Sequence, residues 1–371
     1  MRSWNSITLG EVLPFKYGKN LPASKRTHSG EYDVVSSAGI IDSHDTAFTT
    51  EPCIVIGRKG SIGSLTYCPD PVWPTDTTFY VTGTPYCDLR FGYYVLQTLP
   101  LNQMNNDSAV PGLNRNDAES LAFSLPPVSE QKTIAKVLGS LDDKIAANQR
   151  TIQSADSLRN ALWDKLLKTN TESLPLSSLA EFINGRAFTK NATGTGRVVA
   201  RIAELNSGIG SNTVFNDIEV HQNHVVLPGE LLFAWSGTLM TKRWPYDEAI
   251  VNQHIFKVLP ISKFDLWALE LIIQSQIHYF QMIAAGKATT MGHIKRADLD
   301  KTVEVPTSIP DKLNMLGNTL WMLATQAEQE NQTLARTRDE LLPLLMSGKI
   351  TVRDAEEASA EVGVDKHEVK E

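Results

Sequence analysis

VSEQKTIAKVLGSLDDKIAANQRTIQSADSLRNALWDKLLK, residues Val128 to Lys168, is the stretch on which the fold turns. It follows Pro126-Pro127, holds no further proline and contains one glycine, Gly139. Its apolar residues fall at Ile134, Leu138, Leu141, Ile145, Ile152, Ala155, Leu158, Leu162 and Leu166. Steps of three and four are the period of a helix that packs along one stripe. Ser129, ahead of Glu130 and Gln131, suits an N-cap, because its hydroxyl can accept from free backbone N–H groups. At ~1.5 Å per residue the rod is roughly 60 Å long, far beyond an average helix of ~11–12 residues.

A second rod runs from Asp311 to Ser347. Leu313, Leu316, Leu320, Leu323, Ala327, Glu330, Leu334, Thr337, Leu341 and Leu344 step 3, 4, 3, 4 without a break. That is a heptad seam, and its polar members Glu330 and Thr337, like Asn148 in the first rod, are places where register is fixed at some cost in stability. Pro343 bends or ends this rod.

What precedes each rod also repeats. Leu9-Gly10-Glu11 has an echo in Leu179-Ala180-Glu181, and Tyr17-Gly18-Lys19 in Asn184-Gly185-Arg186. IVIGRKGSI (Ile54–Ile62) sits like LLFAWSGTL (Leu231–Leu239), with Gly60 opposite Gly237 and Phe79 opposite Phe256. Gly112 to Asp117 matches Gly292 to Asp298 after one insertion, and Leu125-Pro126 pairs with Val305-Pro306. The sequence therefore predicts an α/β (α+β) chain with a pseudo-twofold internal repeat. Two similar globular domains, 1–127 and 170–309, are separated by two long antiparallel coiled-coil helices, 128–169 and 310–353.

Short β-branched or aromatic runs at Val34-Val35, Cys53–Ile56, Leu65–Tyr67 and Phe79–Val81 predict strands, and Leu89–Leu99 a helix on that sheet. In the second copy, Glu230–Ala234 and Ala249–Val258 predict strands and Leu266–Ile283 an amphipathic helix. Leu205–Val214 reads as a Gly/Asn/Ser loop and Thr169–Pro175 as a polar linker.

The formal net charge is −7, of which −5 lies in the tail from Asp354 to Glu371, with seven acidic and two basic residues. That tail is read as a disordered or frayed end. The other segments carry −3 (1–127), +2 (128–169), −1 (170–309) and 0 (310–353), so bulk charge gives no sign of a nucleic-acid binder. No apolar run reaches the ~20 residues of a membrane span, and the N-terminus lacks a signal-peptide stretch. Three cysteines, Cys53, Cys68 and Cys87, argue against a disulfide framework and for a reducing cytoplasm.

The patterns of catalysis are missing. Gly57-x-x-Gly60-x-x-Gly63 is neither a dinucleotide fingerprint nor a P-loop, and Gly286-Lys287-Ala288 lacks the Ser/Thr that would hold magnesium. His221-x-x-His224 has no third metal ligand nearby. Glu130-x-Lys132 resembles the end of a nuclease motif without its upstream acids. Pro126-Pro127-Val128 lacks the flanking Asn/Asp and aromatic of an adenine methyltransferase. No site for S-adenosylmethionine or ATP is visible. What remains is positioning: two binding surfaces held by paired rods, as in readers of split duplex sites.

At the junction LPPVSEQKTIAKVLGSLDDKIAANQR the sequence resembles the specificity subunit of type I restriction–modification enzymes. Pro126, Pro127, Glu130, Gln131, Ile134, Ala135, Leu141, Asp142, Lys144, Ile145 and Asn148 fit that family's conserved region. The opening Leu9-Gly10-Glu11 and Gly18, and the Gly112-Leu113-Asn114 stretch, match too; the second junction departs, lacking Pro-Pro and Glu-Gln. The resemblance implies two target recognition domains, each reading half of a split sequence in double-stranded DNA. It implies helices that act as a ruler and dock two methyltransferase (modification) subunits. It further implies motor–nuclease (restriction) subunits, with S-adenosylmethionine, ATP and Mg all in partners. On this reading the chain is non-catalytic, and directs adenine methylation and ATP-dependent cleavage by others in host defence. The rivals are a self-sufficient DNA-modifying enzyme, which turnover by the isolated chain would reveal, and a coiled-coil scaffold joining two protein-binding modules, which would leave DNA affinity indifferent to sequence.

Base readout needs Arg, Lys, Asn, Gln, Ser or Thr on groove-facing loops. The candidates are Lys19, Lys25, Arg26, Arg58, Lys59 and Ser61 in the first domain and Arg186, Lys190, Arg197, Arg201, Lys242 and Arg243 in the second. Arg115 and Arg296, matching places before the rods, are candidates for phosphate contacts. Trp235 and Trp244, beside Lys242-Arg243, read first as core and second as rings that stack on DNA, and Trp163 and Trp321 read as exposed residues that meet another helix or a partner subunit.

Overall fold

β1 (Asn5–Thr8) pairs with a strand far along the chain, and this long-range pairing is made twice. The computed structural model describes residues 4–104, 112–285 and 293–364. The first half continues with β2 (Lys16–Tyr17), β3 (Tyr32–Ser36), β4 (Gly39–His44), β5 (Cys53–Gly57), β6 (Leu65–Cys68), β7 (Trp73–Pro74), β8 (Thr78–Thr82) and β9 (Ala122–Leu125). β1 pairs antiparallel with β9. The other strands form two sheets, ordered β2-β8-β5-β6 and β4-β3-β7, with β3 and β7 parallel. Between them run α1 (Leu9–Val12), α2 (Leu89–Thr98) and α3 (Arg115–Glu119), and then the first rod, α4 (Val128–Leu167).

The second half repeats this plan. Its strands are β10 (Thr171–Pro175), β11 (Ala180–Asn184), β12 (Arg197–Ala200), β13 (Phe215–Asn216), β14 (Val225–Val226), β15 (Leu231–Ala234), β16 (Met240–Arg243), β17 (Ala249–Val251), β18 (Ile255–Pro260) and β19 (Thr302–Pro306). β10 pairs antiparallel with β19, as β1 does with β9. The sheets run β11-β18-β15-β16 and β13-β12-β17-β14, again with one parallel pair, β12 and β17. α5 (Ile202–Ser207) and α6 (Leu266–Ala285) precede the second rod, α7 (Asp311–Met346), and α8 (Val352–Glu361) follows it. The repeat is thus a repeat of topology.

Register gives the equivalences. Tyr17 and Ile56 both stand opposite Phe79, while Asn184 and Phe233 both stand opposite Phe256. One expectation shifts. The Leu9 amide donates to Leu121 O (2.8 Å), just before β9, and the Leu176 amide to Lys301 O (3.0 Å), just before β19. Leu9 therefore matches Leu176, three residues ahead of the Leu179 that sequence alone aligns with it.

The chain divides into two compact units, residues 1–144 with 334–371, and residues 145–333. Each holds one globular domain and a part of both rods. In the first, Arg338 Nη1 donates to Asp142 Oδ1 at 2.7 Å. In the second, Asn148 Nδ2 donates to Glu330 Oε2 at 2.7 Å, and Ile152 and Ala155 cluster with Leu320, Ala324 and Ala327. Numbers rise on one helix as they fall on the other, so the rods pack antiparallel there. The polar seam residues Asn148 and Glu330 meet each other.

α4 starts at Val128, with Gln131 N bonded to Pro127 O (3.0 Å). Ser129 is inside the helix and accepts from Thr133 Oγ1 at its carbonyl, so it is not the cap that the sequence predicts. Gln131 explains the junction motif. Fully buried, its side-chain amide donates to Tyr86 O (2.9 Å) and Pro126 O (2.8 Å), and accepts from Asp88 N (2.9 Å). Gly139 lets the Arg90 guanidinium lie against α4, bonded to Gly139 O (2.9 Å) and Asp143. Gly317 does the same for the fully buried Trp267 ring on α7.

Four further expectations change. Thr169–Pro175 is a linker only at its start, because Thr171–Pro175 is β10. Ile202–Ser207 is helical, so the Leu205–Val214 loop begins late. The tail is not frayed as far as Glu361: α8 is capped by Thr351, whose side chain accepts from Asp354 N, and it buries Ala355 and Ser359. Trp163 and Trp321, expected on the outside of the rods, are each 5% exposed. Trp163 packs on Phe264 and Trp267, and Trp321 donates to Gly229 O (2.9 Å). They seat the second domain on its own helices. No described helix is long and apolar enough to cross a membrane.

Candidate nucleic-acid interface

β2 ends against a turn, and the fit excludes any side chain at Gly18. A Cβ there would lie 2.1 Å from Thr75 O. Lys19 N then donates to Pro74 O (2.9 Å), and Trp73 Nε1 donates back to Lys19 O (2.8 Å). The Lys19 backbone is clamped while its side chain stays exposed, its ammonium 5.7 Å from the Phe48 ring centre and 5.8 Å from that of Trp73. β5 ends in a tight turn in which Gly60 and Gly63 take φ of +75° and +71°, values that favour glycine. Arg58 and Lys59 amides both reach Thr77 O (2.9 and 3.0 Å), and Arg58 Nη2 reaches Asp76 O (2.9 Å). The Arg58 guanidinium stacks 5.4 Å from the Tyr17 ring centre. Leu113 N closes the group on Arg58 O (2.9 Å). Lys19, Arg58, Lys59 and Ser61 are thus brought to one edge, with Lys59 and Ser61 exposed.

The second domain builds the same edge. A Cβ on Gly185 would lie 2.1 Å from Asn252 O, and Arg186 N donates to Val251 O (3.2 Å). Gly237 takes φ +66°, and Ile294 N donates to Trp235 O (3.2 Å) as Leu113 does to Arg58. Trp235 stands where Arg58 stands, two residues past the Phe256 partner, and Asn184 where Tyr17 stands. Trp235 Nε1 donates to Asn184 Oδ1 (2.8 Å), and the indole packs by His254 (5.0 Å) and His293 (6.3 Å). Arg186 is exposed and lines a cleft of about 550 Å³ with Phe188, His221 and His224. Burial, then the nearby Arg186 and His221, hold the His224 imidazole below its usual value.

The remaining candidates lie elsewhere, most of them engaged with their own chain. Lys25 is exposed in the turn Ala23–Lys25, and Arg26 bonds Leu21 O (3.2 Å) and pairs with Asp42 (3.5 Å). Arg115 Nε donates to Glu119 (3.0 Å), whose same oxygen accepts from Phe15 N. Arg197 pairs with Glu248 (2.9 Å) and bonds Ile218 O. Arg201 grips Glu204 with two nitrogens (3.0 and 2.6 Å) and reaches Asn212 O. Lys190 is exposed and Lys242 is half-buried on β16. Arg296 is exposed in a cleft that also holds Glu181 and Asp300.

Arg243 needs correction as a surface contact. Its side chain is 4% exposed, bonded to both Glu328 oxygens (2.9 and 3.1 Å) and stacked 4.8 Å from the Trp321 ring centre. Arg159 and Glu270, paired at 2.6 Å, extend this buried network. Burial pushes the Glu270 carboxyl up, against the pull of Arg159 and Arg243. Trp244, fully buried and donating to Asp247 O, is core. Sequence reading passed over Tyr17, Asn184, His254 and His293. The repeat alignment holds the signal, since it sets Asn184 opposite Tyr17 and Trp235 opposite Arg58.

Residues 1–156 match the family model described as the type I restriction modification DNA specificity domain. The match lies within the first half of the chain. Over 145 residues it is 26% identical to the EcoprrI specificity subunit of a type I restriction enzyme from Escherichia coli. That match covers 36% of this chain and 35% of the relative, so the likeness spans about a third of the relative's length. The crystal structure of a type I restriction–modification S subunit from M. genitalium superposes with a TM-score of 0.62, covering 92% of this chain and 96% of that one. At 15% identity this is a likeness of fold. The matched residues include the first Gly18–Lys19 edge and the start of α4. The fold of the S subunit extends over both halves.

Proposed function

We propose that the chain is the DNA-specificity subunit of a type I restriction–modification complex. Each globular domain reads one half of a split target in double-stranded DNA. Partner methyltransferase subunits hold S-adenosylmethionine and methylate adenine, and motor–nuclease subunits supply ATP- and Mg-dependent translocation and cleavage. The observation that carries this reading is the duplication. One chain makes a similar pair of sheets, the same glycine-clamped edge and the same antiparallel strand pairing ahead of a long helix twice, and the first copy matches a DNA specificity domain. A protein that presents one type of surface twice suits a two-part site, and its own geometry sets the separation of the parts.

The acidic balance is compatible with this role. Phosphate contacts position a protein on the duplex, while base contacts specify. Partner subunits can supply much of the phosphate clamp, so the chain's −7 need not be offset within it. Purification with the partner subunits, followed by mapping of methylated adenines in host DNA, tests the proposal. A split motif that disappears with this chain is expected; methylation indifferent to the chain sinks the idea. Exchanging residues 1–127 for another specificity subunit's domain should rewrite one half of the motif and leave the other intact.

A further inference from the structure

The two matching edges differ in an ordered way, and the difference separates two kinds of contact. At one position both copies keep a cation. Lys19 and Arg186 each follow a glycine that admits no side chain, each has its amide tied to the carbonyl of the last residue of an opposing strand, Pro74 of β7 or Val251 of β17, and each is exposed. Two positions beside them change chemistry entirely. Tyr17 with Arg58 becomes Asn184 with Trp235, and in both copies the two side chains touch each other, by ring stacking in one and by a hydrogen bond in the other. The backbone around them is held alike, since Arg58 O and Trp235 O accept from Leu113 N and Ile294 N. A frame that is kept while a touching pair is replaced is what two different readouts on one scaffold require.

Resting on the functional reading above, we infer that Lys19 and Arg186 are phosphate contacts and that the pairs Tyr17–Arg58 and Asn184–Trp235 determine the sequence read by each half. A single cation serves a phosphate in either copy, because phosphate is the same at every base step. A guanidinium offers a forked donor pair suited to the O6/N7 edge of guanine, and an Asn amide offers the donor–acceptor pair suited to adenine. The stacked Tyr17 ring fixes the orientation of the Arg58 fork, and the Trp235 indole fixes that of the Asn184 amide. The first half-site should therefore contain a guanine read through Arg58, and the second an adenine read through Asn184.

The test uses the complex assembled with its partner subunits, with methylated-base mapping and DNA affinity over a range of salt as readouts. Lys19→Ala and Arg186→Ala should weaken binding to every sequence alike, lower the slope of log affinity against log salt by about 0.9 each, and leave the motif unchanged. Arg58→Ala, and Arg58→Lys as the milder variant, should relax one base in the first half-site by on the order of tenfold, with the second half-site intact. Asn184→Ala should do the reverse. Lys19, Arg186 and Asn184 are exposed, so their replacement spares the core, and co-purification with partners confirms assembly. A motif unchanged in assembled Arg58 and Asn184 variants overturns the assignment alone. A motif altered by the Lys19 or Arg186 variant overturns the division between the two kinds of contact. If the unaltered complex yields no split motif, the functional reading itself fails, and this inference with it.

Discussion

Gly139 on the first rod and Gly317 on the second each meet a side chain of the preceding domain helix, Arg90 of α2 and Trp267 of α6, and those neighbours decide what each tolerates. A Cβ on Gly317 would sit 2.3 Å from the Trp267 ring, which is fully buried and has nowhere to go. Overpacking should outweigh the gain in helix propensity, so Gly317→Ala should destabilise the second unit by about 1–3 kcal/mol. A Cβ on Gly139 meets only the tip of Arg90, a flexible side chain that can swing away. Gly139→Ala should fall within about 1 kcal/mol of neutral. Urea unfolding of the two variants checks both, and equal losses would contradict the argument. At this scale the sequence was read least well. Residue type on polar loops marked Arg197, Arg201 and Arg243 as candidates and repeat position marked Arg115; in the structure each is matched to a carboxylate, at Glu248, Glu204, Glu328 and Glu119. For Arg201 the partner is three residues away and capping geometry could have shown it. For Arg243, on β16, it is 85 residues away on α7, and no local pattern carries that fact.

At the scale of the element, periodicity was a reliable guide wherever an apolar stripe was long. Both rods, α2 and α6 stand where their patterns place them. β10 was missed because Thr-Glu-Ser-Leu-Pro is polar, and its strand character comes from pairing with β19 about 130 residues on. α8 was missed because acidic composition masked Ala355 and Ser359, which share one face four residues apart. The polar seam gives a prediction of its own. Asn148 is 8% exposed and donates to Glu330 across the paired helices. Glu330→Leu removes the acceptor of the buried Asn148 amide and should cost about 1–3 kcal/mol, and Asn148→Leu removes the same bond from the other side. The double replacement should recover most of that loss, because two leucines fill an apolar seam. A double-mutant cycle reads the coupling, and strictly additive losses would refute it.

At the scale of the whole molecule, the duplicated plan was legible because Gly18/Gly185, Gly60/Gly237 and Phe79/Phe256 survive in order, each for a steric or register reason given by the fold. On the proposed function, the rods set the gap in the target. Adding one helical turn to both α4 and α7, a rise of ~5.4 Å, should shift that gap by roughly one to two base pairs at ~3.4 Å per base step. The bases read in each half should stay the same, which methylated-base mapping can verify. The division into units has a further consequence, one of timing. Residues 145–333 form one uninterrupted unit, whereas the other joins 1–144 to 334–371. On a ribosome the first unit to begin is therefore the last to finish. Its apolar stripe Ile134, Leu138 and Leu141, and Asp142 beside it, emerge long before Arg338 and Leu334 can join them. Roughly 190 intervening residues at ~5–20 per second impose a wait on the order of 10–40 s. Through that interval the nascent chain carries a helix whose companion does not yet exist, and the second unit can fold to completion while the first stands open.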